Sequence, residues 1–193
     1  MGTPNKDTGE PLPCLSGGRN LVLIGYRATG KTTVGLLLAR KLCRDFVDLD
    51  AALEQEMGRA ITDLVAEQGW PEFRRREKEI VARYGLPQGR VLATGGGVVL
   101  DPENVRILQE NGVVVWLQAG PGAIRERLSR DRVQEDQRPS LTGSGTLDEV
   151  EEVLRTREPL YKAAAHIIID TANQSTAEVA EQVLAAVKEI SKN

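Results

Sequence analysis

Asn20-Leu21-Val22-Leu23-Ile24-Gly25-Tyr26-Arg27-Ala28-Thr29-Gly30-Lys31-Thr32-Thr33-Val34 decides the architecture. The apolar run over residues 20–24 reads as a short buried strand that Gly25 ends at a turn. Over residues 34–42, Leu and Val recur at helical spacing. Between strand and helix, residues 25–32 match G-x-x-x-x-G-K-[ST]. Glycines let such a loop curl until successive backbone N–H groups point at one anion, and the following helix turns its positive end to the same charge. Lys31 then reaches the β- and γ-phosphates of a nucleotide, and the Thr32 hydroxyl suits Mg²⁺. A strand before and a helix after give the context this motif needs. The loop implies nucleoside triphosphate binding and leaves the phosphate acceptor open.

Outward from the loop, Phe46-Val47-Asp48-Leu49-Asp50 reads as a second strand with acidic residues at its end. Charged, helical sequence follows over residues 51–84, broken at Gly58 and at Gly69-Trp70-Pro71. Val91-Leu92-Ala93-Thr94 is a third strand, stopped by Gly95-Gly96-Gly97. Asp101 before Pro102 signals a helix start, with the helix running to about residue 110. Val113-Val114-Val115-Trp116-Leu117 is the most apolar strand. Helices are predicted over residues 121–128 and 147–162, a last strand over residues 166–170, and a closing helix capped by Ser175 or Thr176. Continuous apolar strands separated by helices predict an α/β fold, a parallel sheet covered on both faces.

The chain has 193 residues, of which 40% are hydrophobic and only 4% aromatic, so the core must be built from Val, Leu, Ile and Ala. One domain over residues 19–193 is expected, after a Gly/Pro-rich, aperiodic extension over residues 1–18. Lys and Arg number 25 against 28 Asp and Glu, giving a net charge of −3. That balance argues against a partner bound through nucleic-acid phosphates. No run is apolar enough for a membrane span or a signal peptide. Two cysteines, Cys14 and Cys43, make no disulfide or metal framework, which fits a reduced cytoplasmic setting. No exposed apolar helix demands a partner, so a monomer is expected.

Acceptor candidates follow from position. In open α/β sheets the carboxyl ends of the strands line the ligand crevice, so Asp48 and Asp50 face the phosphate loop. Asp50 would serve equally well as a helix cap. Three glycines in a row exceed what a turn needs and suggest backbone approaching a ligand. Phe73-Arg74-Arg75-Arg76-Glu77 carries three arginines on a helix, most of them expected in surface pairs, with Glu77 one turn from Arg74 and placed to orient it. Arg138-Pro139 and Arg157-Glu158-Pro159-Leu160-Tyr161 add single arginines beside prolines. His166 and Trp116 read as structural, and Cys43 as a small core residue.

In this order, the loop of residues 25–32, Asp48-x-Asp50, Phe73-Arg74, Gly95-Gly96-Gly97, Arg138-Pro139 and Arg157 before Pro159-Leu160-Tyr161 resemble shikimate kinase. The resemblance spans about residues 20–170. It implies the three-layer P-loop kinase fold, a five-stranded parallel sheet in the order 2-3-1-4-5, with a mobile lid at about residues 131–145. It implies transfer of the γ-phosphoryl group of ATP to the 3-hydroxyl of shikimate, on the route to chorismate and the aromatic amino acids, with Mg²⁺ as cofactor. Gly25, Ala28, Thr29, Gly30, Lys31, Thr32 and Thr33 would hold ATP, with Arg138 over the transferring phosphates and Arg130 on adenine. Thr32 and Asp48 would serve Mg²⁺. Asp50 would bind the shikimate hydroxyls and take or orient the attacking proton, so that Lys31, Asp50 and Arg138 form the catalytic set. Arg74 and Arg157 would hold the shikimate carboxylate, with Gly95, Gly96 and Gly97 contributing backbone. Val65, Trp70 and Ser140 depart from the residues usual in the family. Two other readings are a gluconate or nucleoside monophosphate kinase of the same fold, and a nucleotide-regulated binding module.

Overall fold

A computed structural model describes residues 18–86, 89–130 and 149–190. Strand β1 (Asn20–Ile24) leads to α1 (Lys31–Leu42), and β2 (Phe46–Asp48) to α2 (Leu49–Met57) and α3 (Ile61–Gly85). Strand β3 (Val91–Ala93) leads through a 3₁₀ turn (Val98–Leu100) to α4 (Pro102–Asn111), and β4 (Gly112–Gln118) to α5 (Pro121–Arg130). The chain ends with α6 (Val150–Ala164), β5 (Ile167–Asp170) and α7 (Thr176–Ile190).

The strands form one parallel sheet in the order β2-β3-β1-β4-β5, the order expected from the family resemblance. β1 lies at its centre, with Leu23 beside Ala93 of β3 and Val115 of β4. Because side chains alternate along a strand, Leu21 and Leu23 pack against α1 and α7, while Val22 and Ile24 pack against the α3 and α4 layer. A third cluster joins Tyr26 and Ala119 to Ile124 and Leu128 of α5 and Val150, Val153 and Leu154 of α6. Each such aliphatic side chain, fully buried, contributes roughly 1.5–3 kcal/mol, which is how a chain poor in aromatics sustains three layers. Among the described residues no helix is long and apolar enough to cross a membrane.

Helix starts follow local chemistry. Asp101 accepts from Glu103 N at 2.8 Å, with Pro102 opening α4. Ser175 and Glu178 form a reciprocal box at the start of α7: Glu178 Oε2 accepts from Ser175 N at 2.8 Å, and Ser175 Oγ from Glu178 N at 3.3 Å. The second strand is shorter than its sequence suggests. It stops at Asp48 because that side chain caps α2, accepting from Asp50 N at 3.1 Å and Ala51 N at 3.4 Å. The cap is Asp48, and Asp50 sits in the helix's first turn. The break expected near Gly69 is present: its φ of 78° and ψ of 172° interrupt α3 just before Pro71. Cys43 differs from expectation, being exposed at the left-handed C-terminal cap of α1.

Candidate active site

All five strands point the same way, so the loops after them converge on one end of the sheet. After β1, Gly25 turns with a φ of +140°, and a Cβ there would stand 2.5 Å from Leu117 O. Ala28 takes a left-handed φ of 60°, and Thr29 Oγ1 donates to Tyr26 O at 2.8 Å, tightening the curl. Lys31 Nζ donates to Gly25 O at 2.9 Å and Tyr26 O at 2.7 Å, so the ammonium lies inside the loop. Residues 28–33 line a cavity of about 340 Å³ whose far wall is Arg127, Thr171 and Gln174.

A second cavity of about 300 Å³ lies on the other side of the loop. Thr32, Asp48, Asp50 and Gly96 line both, so the two spaces meet at these residues. At the junction Thr32 Oγ1 donates to Asp48 Oδ2 at 2.7 Å. Two hard oxygen donors side by side suit Mg²⁺, which takes one or two protein oxygens and fills its octahedron with phosphate and water. Among the described residues no group of three or more His, Cys, Asp or Glu could hold a metal.

The second cavity gathers arginines and carboxylates, with Arg74 and Arg157 beside Asp50 and Glu77. Arg74 projects from α3, donating to Glu77 Oε2 at 2.6 Å. Its guanidinium carbon lies 4.9 Å from the Phe73 ring centroid and 5.5 Å from that of Trp70. Gly97 leaves the room it occupies, because a Cβ there would overlap the guanidinium. Arg157 comes from α6 and is buried at 7% exposure, with NH1 donating to Gly96 O at 3.1 Å. Its charge acts on the Tyr161 hydroxyl and on the Glu77 carboxylate, and no ion pair within 4 Å neutralises it among the described residues. Asp50 Oδ1 and Glu77 Oε1 press against Gly95, at 2.7 Å and 2.9 Å from where a Cβ would stand. Burial pushes the Glu77 carboxyl above its usual range, Arg74 pulls it back, and the charge of Asp50 adds to the rise.

Thus Lys31, Thr32, Thr33, Asp48, Asp50, Arg74, Arg157 and the three glycines are gathered at one place. Arg138 and the segment expected to form the lid lie outside the described residues, as does the extension apart from Gly18. Arg130 is not brought in: it is exposed and donates to Glu126 Oε1 at 2.6 Å. Among the described residues the arginine that lines the phosphate-loop cavity is Arg127, one turn earlier on α5, donating to Ala28 O at 3.2 Å and Thr171 Oγ1 at 3.0 Å. Sequence reasoning missed Arg127. Residues three apart are neighbours on one helix face, so the Arg-x-x-Arg end of α5 carried no signal to choose between them. Trp70 adds an aromatic wall to Arg74, and Val65, on α3, is half-buried against the core cluster on that face of the sheet.

Comparison with known proteins agrees with this geometry. A family model described as shikimate kinase matches residues 27–188. A shikimate kinase of Syntrophus aciditrophicus is 44% identical over 174 residues, covering 86% of this chain and 89% of the relative. A shikimate kinase from Acinetobacter baumannii, solved in complex with shikimate, superposes with a TM-score of 0.82 at 32% identity, covering 89% of this chain and 93% of that one. A gluconokinase from Sinorhizobium meliloti has a TM-score of 0.59 at 21% identity, covering 91% and 94%, a likeness of fold alone.

Proposed function

We infer the division of labour in this site from one premise: the chain belongs to the shikimate kinase family. It transfers the γ-phosphoryl group of ATP to the 3-hydroxyl of shikimate, giving shikimate 3-phosphate and ADP. The observation that carries the assignment of roles is the junction, where the phosphate-loop cavity and the arginine-walled cavity share Thr32, Asp48, Asp50 and Gly96. Phosphoryl transfer asks a protein for alignment and charge neutralisation rather than covalent chemistry. Two cavities meeting edge to edge supply the alignment.

Residues 25–33 cradle the triphosphate, and Lys31 places its charge where the β- and γ-oxygens lie. Arg127 forms the wall on the base side. Thr32 and Asp48 would hold Mg²⁺, which when bound would supply charge neutralisation to the phosphates. Arg74 and Arg157 take the shikimate carboxylate; planar guanidinium forks suit that geometry as lysines would not. Asp50 accepts from the ring hydroxyls and orients the attacking one, taking its proton as the new P–O bond forms. Glu77 keeps Arg74 aimed into the cavity. We take a cytoplasmic monomer as the working form.

Incubating the enzyme with MgATP and, separately, shikimate, gluconate, AMP and CMP tests the acceptor. ADP should form only with shikimate. Turnover with gluconate and none with shikimate would overturn the assignment.

A further inference from the structure

One buried charge stands outside both cavities. Glu149, at the start of α6, is 1% exposed, and its Oε1 lies 3.4 Å from NH2 of Arg27. Arg27 belongs to the phosphate loop, is itself 8% exposed, and lies over the Tyr26 ring with its guanidinium carbon 5.6 Å from the centroid. Removing two charges from water costs more than most ion pairs return, and an apolar pair of equal volume is often at least as stable. Stability therefore gives no reason for the pair, whereas geometry does.

From Glu149 the helix continues with Val153 N donating to Glu149 O at 2.9 Å. Roughly two turns on, at 3.6 residues per turn, comes Arg157. Arg157 and Tyr161 both donate to Gly96 O, and Tyr161 stacks on Trp116 of β4 with ring centroids 5.6 Å apart. Apolar packing of Val150, Val153 and Leu154 against Tyr26, Ile124 and Leu128 seats α6, and two polar attachments add to it: at its start to the phosphate loop, and farther along to the glycine run. Apolar contact is non-directional, so the ion pair at the start adds a fixed direction and register that carries through the helix to the guanidinium of Arg157.

We propose that the Arg27–Glu149 pair is a positioning device for the acceptor, locking the start of α6 to the phosphate loop so that Arg157 meets the shikimate carboxylate in register. The proposal rests on the reading that Arg157 binds that carboxylate. It makes Glu149 a positioning residue, since it lines neither cavity.

The sign of one substitution separates position from charge. Glu149→Gln removes a negative charge near a cationic cavity, so a purely coulombic role would tighten binding of the shikimate anion. Loss of position weakens it. Calorimetric titration of Glu149→Gln, Arg157→Lys and the double variant with shikimate, and separately with MgADP, reads both. Glu149→Gln should weaken shikimate on the order of tenfold, as small misplacements of a binding group do, while MgADP stays within about twofold. The double variant should bind shikimate no worse than Arg157→Lys, because the two changes act through one contact. Unchanged or tighter shikimate binding by Glu149→Gln, full additivity, or equal losses of shikimate and MgADP would each overturn the proposal. Wild-type shikimate affinity in Arg157→Lys would overturn the reading of Arg157 itself, and the proposal with it. Should Glu149→Gln fail to fold, Glu149→Asp keeps the charge and shortens its reach toward Arg27 by one methylene. Weaker shikimate with normal MgADP in that variant supports the pair's role, and wild-type shikimate affinity overturns it.

Discussion

The carboxylate of Asp48 divides its two oxygens between tasks. Oδ1 caps α2, and Oδ2 accepts from Thr32 at the junction of the cavities. Asp50, two residues on, lines both cavities and lies in the second beside Glu77, against Gly95. Substitution should therefore separate them. Asn caps helices as well as Asp does, so Asp48→Asn should fold normally while needing more Mg²⁺ for half-maximal rate, with shikimate binding little changed. Asp50→Asn keeps the shape and loses the charge that accepts hydroxyl hydrogen bonds, each worth about 1.5–3 kcal/mol when charged. Shikimate affinity should fall at least about tenfold, and MgADP affinity should hold. Calorimetry with each ligand alone checks this, and an Asp50→Asn enzyme that binds shikimate normally but loses MgADP would reverse the two roles. The sequence made both aspartates visible, because the carboxyl ends of the strands in an α/β chain line the ligand crevice, although helix capping explained such a pair equally well. It could not say which one capped the helix, since both stand within a residue of the boundary and both have the right side chain.

At the scale of an element, α5 shows where sequence reading stops. Arg127 and Arg130 lie a turn apart, both near the end of the helix, and each suits a nucleotide base equally well in one dimension. What separates them is the loop beyond β5, whose Thr171 receives Arg127 through Oγ1 and through its backbone oxygen at 2.5 Å. That contact joins positions far apart in the chain, and nothing in the local pattern announces it. Arg127→Ala should lower MgADP affinity on the order of tenfold, because it removes hydrogen bonds from a charged donor that hold Ala28 and the β5 loop together. Arg130→Ala should leave it within about twofold, since an exposed pair with Glu126 contributes little. Similar losses in both variants would contradict the placement of Arg127 as the cavity wall. The other elements were legible where periodicity and punctuation agree, as at Asp101-Pro102 before α4 and Ser175-x-x-Glu178 before α7.

Across the whole molecule the parallel sheet also carries a titratable seam. His166 precedes β5, donating its own N–H to Val114 O at 2.8 Å and accepting Val114 N–H on Nδ1 at 2.9 Å. An imidazole that accepts on Nδ1 cannot carry a proton there. Partial burial, and then the nearby charge of Arg19, hold its pKa below the ordinary value of 6.5. The unfolded chain takes up that proton first, so stability falls as the pH drops through 6.5 toward the folded value. His166→Asn offers a carbonyl oxygen to the same N–H and does not titrate. Melting temperatures of the two proteins should run parallel above about pH 7 and diverge below it, with the wild type losing more. Curves that stay parallel down to pH 5 would show that this seam does not sense protons. The sheet order itself was legible only through the family resemblance, since periodicity fixes the number and kind of strands and leaves their neighbours unassigned.

Gly95 and Gly97 are closed by the side chains they admit, one by Asp50 and Glu77, the other by Arg74, whereas a Cβ on Gly96 would find its nearest neighbour, Gly25 O, at an ordinary 3.5 Å. A Cβ at either flank must therefore push aside the working end of a side chain in the second cavity, whereas one at Gly96 meets no protein atom closely and enters the space where the two cavities join. None of the three has a backbone that alanine would strain, so an alanine scan of the run should leave the melting temperature near wild type and show its cost in shikimate binding. The glycines hold open room for function and ask nothing of the fold.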